Sequence, residues 1–199
     1  MPVAGRVVTG YSKPKIADYA CTAGVISYSN GMTLARGVSV EISVDEGDSN
    51  NFYADNQLAE SDSGAFTSGT ATLTVDGLKA NAEKSIQGLP TADDDGFLNY
   101  NDDQNKGYKG IGYITRYQSD GVVTFVPTII VKTKFNQLSR SAQTQEESKN
   151  YQTQQLTARI HRGDDAKHTW LKVSETEYET EAAAEAALNT ALGITKVGG

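Results

Sequence analysis

The sequence predicts a mainly β fold, a β-sandwich or barrel-like domain with a flanking α-helix and a second helix near the C-terminus. Two stretches, residues 38–45 and 66–76, alternate between apolar and polar residues, which is typical of strands with one buried face. A third signal is Ser119-Asp120-Gly121 between two strand-like runs, because Asp-Gly favours a tight hairpin turn. The length of 199 residues fits a single domain over residues 1–199.

Both alternating stretches have an apolar back and a polar front. The back of the first carries Val38, Val40, Ile42 and Val44, and its front carries Ser39, Glu41, Ser43 and Asp45. The back of the second carries Ala71, Leu73 and Val75, and its front carries Thr70, Thr72, Thr74 and Asp76. Each strand is therefore predicted to bury one face and to present hydroxyl and carboxyl groups on the other.

Further strands follow from apolar and β-branched composition. Residues 11–29 predict one or two early strands, and residues 151–162 and 169–173 predict two late ones. Residues 122–135 predict a long strand, in which Pro127 indicates an edge or a bulge because proline cannot donate a ladder hydrogen bond.

Two polar segments lack any apolar period. Residues 46–65 are too long for a hairpin turn, and we expect them to project from the domain. Residues 140–150 are expected to form an extended polar connection.

Two helices are predicted. The first has Leu78, Ala82, Ile86 and Leu89 on one face, with Asp76 as a candidate N-cap and Gly88 as its end. The second, over residues 180–193, begins at the cap Thr180 and ends at Gly193. Its polar face is acidic, whereas helices that lie on membranes are basic, so we expect it to pack on a sheet. Its apolar side carries Ala184, Ala187, Leu188, Ala191 and Leu192.

The charge balance constrains the partners. The chain has 18 Lys and Arg against 25 Asp and Glu, a net charge of −7, which disfavours tight binding to phosphate backbones. The N-terminal residues lack a secretion signal and no window is apolar enough to span a bilayer, so we expect synthesis in the cytoplasm and no membrane association. Cys21 is the only cysteine; it has no partner for an intramolecular disulfide and is expected to be a small core residue.

Two sets of residues have metal-binding chemistry. His161 and His168 flank Gly163-Asp164-Asp165 and fit either a metal site across a hairpin or, as we favour, a surface turn. The acidic segment 90–110 fits either a calcium loop or a solvated loop, and we favour the latter because Lys106 stands where an EF-hand requires glycine. Its candidate oxygen ligands are Asp93, Asp94, Asp95, Asn99, Asn101, Asp102, Asp103 and Asn105.

The sequence contains no recognisable catalytic constellation. Nucleophile elbows, phosphate-binding glycine loops and paired cysteine motifs are missing, so we expect no enzymatic activity, no catalytic residues, no metal and no cofactor. Trp170 and the ten tyrosines fit either a sugar-stacking platform or, as we favour, a core or subunit interface.

The order of the elements carries a family resemblance over residues 16–170. The strand VSVEISV precedes a loop with FYADNQLAE, then come TATLTVDGL, the aspartate-rich segment, GIGYITR and FVPTIIVKTKF, and finally AQTQEESKNYQTQQL. The sharpest points are Tyr-Ala-Asp before Glu60 and the run Gln-Thr-Gln-Glu-Glu-Ser. This order resembles the major tail proteins of long, non-contractile phage tails, the family typified by temperate phages of Gram-positive hosts.

The resemblance implies a structural protein of the virion tail. In that family hexameric rings stack into a tube, and genomic DNA passes through the tube into the host without specific binding. The implied partners are other copies of the chain and the tape measure, terminator and distal tail proteins. Two alternatives stay open: the tube protein of a contractile secretion system, and a β-sandwich ligand-binding module.

The resemblance and the strand pattern together assign two sets of residues. Side chains on the polar fronts are expected to line the lumen of the tube, where hydroxyls and carboxylates offer no cation to a passing polyanion. These are Ser39, Glu41, Ser43, Asp45, Thr70, Thr72, Thr74 and Asp76. The two polar segments are expected to contact neighbouring subunits through Phe52, Tyr53, Asp55, Leu58, Glu60, Gln145 and Glu146.

Overall fold

A computed structural model of the chain describes residues 5–47, 50–54, 57–62, 65–144 and 152–194. Its strands are β1 Val7–Thr22, β2 Val25–Thr33, β3 Gly37–Glu46, β4 Asn50–Ala54, β5 Gln57–Asp62, β6 Phe66–Val75, β7 Lys109–Ser119, β8 Val122–Phe135, β9 Gln154–His161 and β10 Leu171–Val173. Its helices are α1 Ala80–Gln87 and α2 Glu181–Ala191. The predicted mainly β fold is confirmed. No helix in the described ranges is long and apolar enough to cross a membrane.

One antiparallel sheet contains eight of the strands. Its order is β2-β1-β7-β8-β9-β6-β3, with β10 paired to β8, while β4 and β5 form a separate two-stranded hairpin. The sheet curls back on itself. Strand β3 is five strands from β1 along the hydrogen-bonded path, yet the ring of Tyr11 in β1 fills the space beside Gly37 in β3. The architecture is therefore a single curled sheet, closer to an open barrel than to two stacked sheets.

Apolar residues are buried on both sides of the central strands. Inside the curl, Ile16, Ile111 and Leu73 belong to one fully buried cluster, and α1 closes it with Ile86. Because successive strand residues point to opposite faces, the neighbours of the inner residues form a second cluster on the outer side. There α2 covers the sheet, and the buried members are Ala17, Ile114, Ile129, Ala184, Leu188 and Leu192.

The hairpin between β7 and β8 forms as predicted. Asp120 and Gly121 both have positive φ, 48° and 81°, as a two-residue type I′ turn requires. Pro127 was predicted to mark an edge or a bulge; the bulge is wrong, because Pro127 pairs in register with Ile114 of β7. The pairing shifts instead near Val131, where β8 holds one extra residue opposite β7. The Pro127 carbonyl accepts a hydrogen bond from the Ser174 amide, just beyond the end of the short strand β10. Because the nitrogen and the carbonyl of a strand residue point to the same side, the Pro127 nitrogen faces that side too.

Of the helix ends predicted from the sequence, the start of α2 and the end of α1 are confirmed, whereas the predicted start of α1 is not. Thr180 accepts a hydrogen bond from the Ala183 amide at 3.3 Å and caps α2 as expected, and Gly88 ends α1 with φ 60°. Asp76 as N-cap of α1 is wrong. Lys79 occupies that position without a side-chain cap, and the Asp76 carboxylate binds Arg36 instead.

Strands β9 and β10 lie one after the other along the same side of β8. His161 pairs with Lys132 and Leu171 pairs with Ile130, so residues 162–170 form an excursion from one interrupted strand. Trp170, at the end of this excursion, stacks on Phe66 with 4.4 Å between ring centroids and packs against the inner core, as favoured from the sequence. Cys21 is only half-buried, because it lies near the tip of the β1–β2 hairpin, so its assignment to the core is wrong.

Candidate functional site

The polar fronts of the two alternating strands meet on one surface. In the antiparallel pair of β3 and β6, Ser39 lies opposite Thr74, Glu41 opposite Thr72, and Ser43 opposite Thr70. Cross-strand partners point to the same side of a sheet, so the predicted lumen residues of both strands form a continuous patch. We call this patch the polar face; it consists of Ser39, Glu41, Ser43, Asp45, Ser68, Thr70, Thr72 and Thr74.

The polar face points away from the core. On the opposite side of β6, Ala71, Leu73 and Val75 have no exposed surface. The front of β3 is exposed throughout, whereas the threonines of β6 are half-buried because β6 lies between two strands. The predicted burial of the back of β3 holds only in part: Val40 and Ile42 are half-buried against the core, whereas Val38 and Val44 are 55% and 40% exposed.

Asp76 occupies a different environment from the other predicted lumen residues. It follows the last residue of β6, and its carboxylate accepts a hydrogen bond from the Arg36 amide at 2.9 Å and another from the Arg36 guanidinium. These hydrogen bonds hold the pKa of the Asp76 carboxyl below its ordinary value. The residue therefore joins the end of β6 to the segment that leads into β3.

Strand β3, which carries one half of the polar face, forms one edge of the sheet. Among the described strands, β3 pairs only with β6, and β2 at the other edge pairs only with β1. An edge strand presents backbone N–H and C=O groups that another strand can bind. Each of these two strands thus has one side without a partner among the described strands.

The predicted projection contains a hairpin. Phe52 pairs with Glu60 and Tyr53 pairs with Leu58 across β4 and β5, so four predicted subunit-contact residues share one small antiparallel ladder. Residues 46–65 are longer than a hairpin turn, as the sequence indicates, and they contain the paired strands β4 and β5. Asp55, Gln145 and Glu146 lie outside the described residues.

A group of basic residues continues the outer surface across β9 and β8. Thr70 of the polar face lies opposite Arg159, which in turn lies opposite Lys134, and His161 lies opposite Lys132. The shift of pairing near Val131 turns Lys132 outward while Ile130 stays inside. Lys132, Lys134 and His161 lie around the ring of Tyr108. Lys106 is near Lys134, and its pKa is lowered by burial and then by the Lys134 charge. We call the basic cluster Lys106, Lys132, Lys134, Arg159 and His161.

Aromatic and acidic neighbours fix part of the basic cluster. Both carboxylate oxygens of Asp164 lie 2.7 Å from the Lys132 ammonium, which is 4.4 Å from the centre of the Tyr108 ring. The His161 ring meets the same tyrosine edge to face at 5.4 Å. Burial lowers the pKa of His161, and the positive charges of Arg159, Lys132 and Lys134 lower it further.

Internal hydrogen bonds organise both segments with metal-binding chemistry. The His168 ring contacts the Gly163 carbonyl at 3.1 Å, and Asp165 accepts hydrogen bonds from the amide and hydroxyl of Thr169. In the acidic segment, Asp93 accepts from the Phe97 amide at 2.7 Å. Within the described ranges no three His, Cys, Asp or Glu side chains are grouped as metal ligands.

A groove of about 590 Å³ lies next to the basic cluster, between α1 and the start of β7. Its wall includes Lys109, which is 6% exposed, and the Lys109 ammonium bonds Asp18 and the Ser85 hydroxyl. Burial alone would raise the pKa of Asp18, but hydrogen bonds from Lys109 and Asn30 lower it. The buried cation is therefore already neutralised by the protein.

No protein-family model matches the chain, and no curated protein matches its sequence significantly. The polar face, the basic cluster and the two sheet edges are therefore the features from which a function is inferred.

Proposed function

We propose that this chain is a structural protein of a phage tail. Copies join into rings, the rings stack into a tube, and the tube conducts DNA into the host without chemistry on any substrate. Its expected partners are the tape measure, terminator and distal tail proteins.

The observation that carries this proposal is an outward polar face next to a sheet edge. If β3 of one copy pairs with the β2 edge of the next, each sheet continues into its neighbour and the free edges disappear. The polar faces of successive copies then lie side by side around a ring. Glu41 and Asp45 give that surface a negative charge, which does not hold phosphates.

Direct imaging of the purified protein tests the proposal. We expect electron micrographs of the concentrated protein to show rings or tubes with a stain-filled centre. Isolated particles of one size, at every protein and salt concentration, would argue against assembly. Such a result would favour a ligand-binding module, for which the groove beside Lys109 is the specific supporting feature.

A further inference from the structure

The basic cluster is an unusual concentration of positive charge in a chain with a net charge of −7. Lys134 and Arg159 lie directly opposite each other on adjacent strands, and like charges in that arrangement destabilise a sheet. Both side chains are exposed. A bound anionic partner would relieve their mutual repulsion.

The chain itself neutralises only part of this charge. Lys132 pairs with Asp164, and Lys106 donates to the Gln137 amide oxygen at 2.7 Å. No ion pair to Lys134 or Arg159 exists among the described residues. Lys134 and Arg159 are therefore the members of the cluster that are open to a partner. Tyr108, which is 39% exposed, lies beside Lys134.

The aspartate-rich loop, residues 93–103, has the complementary chemistry. Asp93 is held by Phe97 and Asn99, and Asn101 accepts from the Asp103 amide at 3.1 Å, so the loop is shaped by its own hydrogen bonds. Its remaining carboxylates, all exposed and outside every described ion pair, are Asp94, Asp95, Asp102 and Asp103. Phe97 is 67% exposed beside them and offers an apolar contact.

We propose that the basic cluster of one copy binds the aspartate-rich loop of a second copy. The inference rests on the proposed self-assembly and specifies which surfaces meet. Because the two surfaces are different, the contact is head to tail and repeats from copy to copy, as a ring or a stack requires. Opposite charges favour this occupant, and Phe97 can pack near Tyr108 as the loop binds.

Charge reversal tests the contact. The cluster variant carries Lys134→Glu and Arg159→Glu, and the loop variant carries Asp102→Lys and Asp103→Lys. We expect each variant alone to self-associate at least tenfold more weakly than the unmodified chain in sedimentation experiments. An equimolar mixture should recover association, because each reversed surface then meets a complementary one.

Matched controls separate this contact from the effect of total charge. The pair Lys79→Glu and Lys172→Glu changes the charge as the cluster variant does, and the pair Glu175→Lys and Glu179→Lys matches the loop variant. All four control positions are exposed and lie outside both surfaces. Unchanged association of the cluster variant, or an equal loss in its control, would overturn the inference.

A disulfide cross-link tests the contact between the cluster and the loop independently of whether the protein forms a tube. In a Cys21→Ser background, Arg159→Cys and Asp102→Cys are placed on separate chains, which are mixed and oxidised. We expect a disulfide-linked heterodimer in excess of either homodimer. Rings without this heterodimer would refute the contact but leave the tube standing, whereas the heterodimer without rings would support the contact alone.

A nucleic acid is the competing occupant. A fluorescently labelled DNA duplex is titrated with the unmodified chain and with the cluster variant, and the anisotropy is recorded. The inference expects no binding that depends on Lys134 and Arg159. Duplex binding that the cluster variant loses, with self-association unchanged, would assign the cluster to phosphates and overturn the inference.

Discussion

Glu41 lies directly opposite Thr72 in the pair of β3 and β6, on the side of the sheet that faces away from the core. Two strands separated in sequence by the β4–β5 hairpin thus place a carboxylate and a hydroxyl next to each other on an outer surface. The same register extends this surface to Arg159 and Lys134, so its charge changes sign from one side to the other.

Reversing the charge of the polar face should slow the passage of DNA. In phage particles built with Glu41→Lys and Asp45→Lys, we expect tubes to form and DNA ejection to become slower, because cations hold phosphates. Ejection kinetics measured by dye fluorescence give the readout. Glu175→Lys with Glu179→Lys is the matched control, and ejection at the unmodified rate in the polar-face variant would count against a lumen position.

Removing the β4–β5 hairpin should block tube growth without unfolding the domain. The Gly47 amide donates to the Ala65 carbonyl at 3.1 Å, so the segment begins and ends at adjacent points and a short turn can replace residues 50–62. We expect monomers or single rings by electron microscopy. Circular dichroism should report an intact sheet, and long tubes from the deleted chain would refute the role of the hairpin in stacking.

The attachment of α2 should contribute substantially to stability. Leu188 is fully buried between α2 and the sheet, beside Gly112 of β7. Leu188→Ala should lower the free energy of unfolding by about 2–5 kcal/mol, the usual range for a buried leucine. Urea unfolding measures the change. Val122→Ala, at a position that is 63% exposed, is the control and should change it by less than about 0.5 kcal/mol.

The ion pair between Glu185 and Lys15 should make this attachment depend on pH. The Lys15 ammonium, with a side chain 5% exposed, lies 2.7 Å from the Glu185 carboxylate and lowers its pKa from the ordinary 4.5. A lowered folded-state pKa stabilises the fold above the unfolded-state value, and this contribution disappears as the pH falls through the folded-state value.

Glu185→Gln should therefore lower the free energy of unfolding at pH 7 by about 1–3 kcal/mol. The difference from the unmodified chain should shrink as the pH falls below 4.5, the ordinary pKa of the carboxyl. Urea unfolding at pH 7 and near pH 3 measures both values. A difference that stays constant over this range would contradict the role of the carboxylate charge.

The strands with one buried face could be predicted from the sequence, because their period of two is a local property. The sequence predicted strands at residues 38–45 and 66–76 for that reason, although Val38 and Val44 of the predicted buried face are exposed and the second strand ends at Val75. It predicted the Asp120-Gly121 turn because both positions need positive φ. The same alternation is present around Arg159 and Lys134. Their meeting depends on the pairing of β8 with β9, and that register cannot be read from either strand alone.

Two errors arose from contacts distant in the chain. The sequence predicted Asp76 as a helix cap. In the structure the Asp76 carboxylate instead accepts hydrogen bonds from the amide and the guanidinium of Arg36, 40 residues earlier in the chain. The irregularity expected at Pro127 occurs near Val131, because the pairing with β7 and not the local sequence decides where the extra residue falls. Local propensity predicts elements, whereas tertiary partners decide how these residues are used.

A three-dimensional reconstruction of the assembled protein by electron cryomicroscopy tests the central claim most directly. The account predicts a hollow tube whose channel wall carries Glu41 and Asp45 from every copy. A tube with these carboxylates on its outer surface, or a solid assembly without a channel, would contradict it.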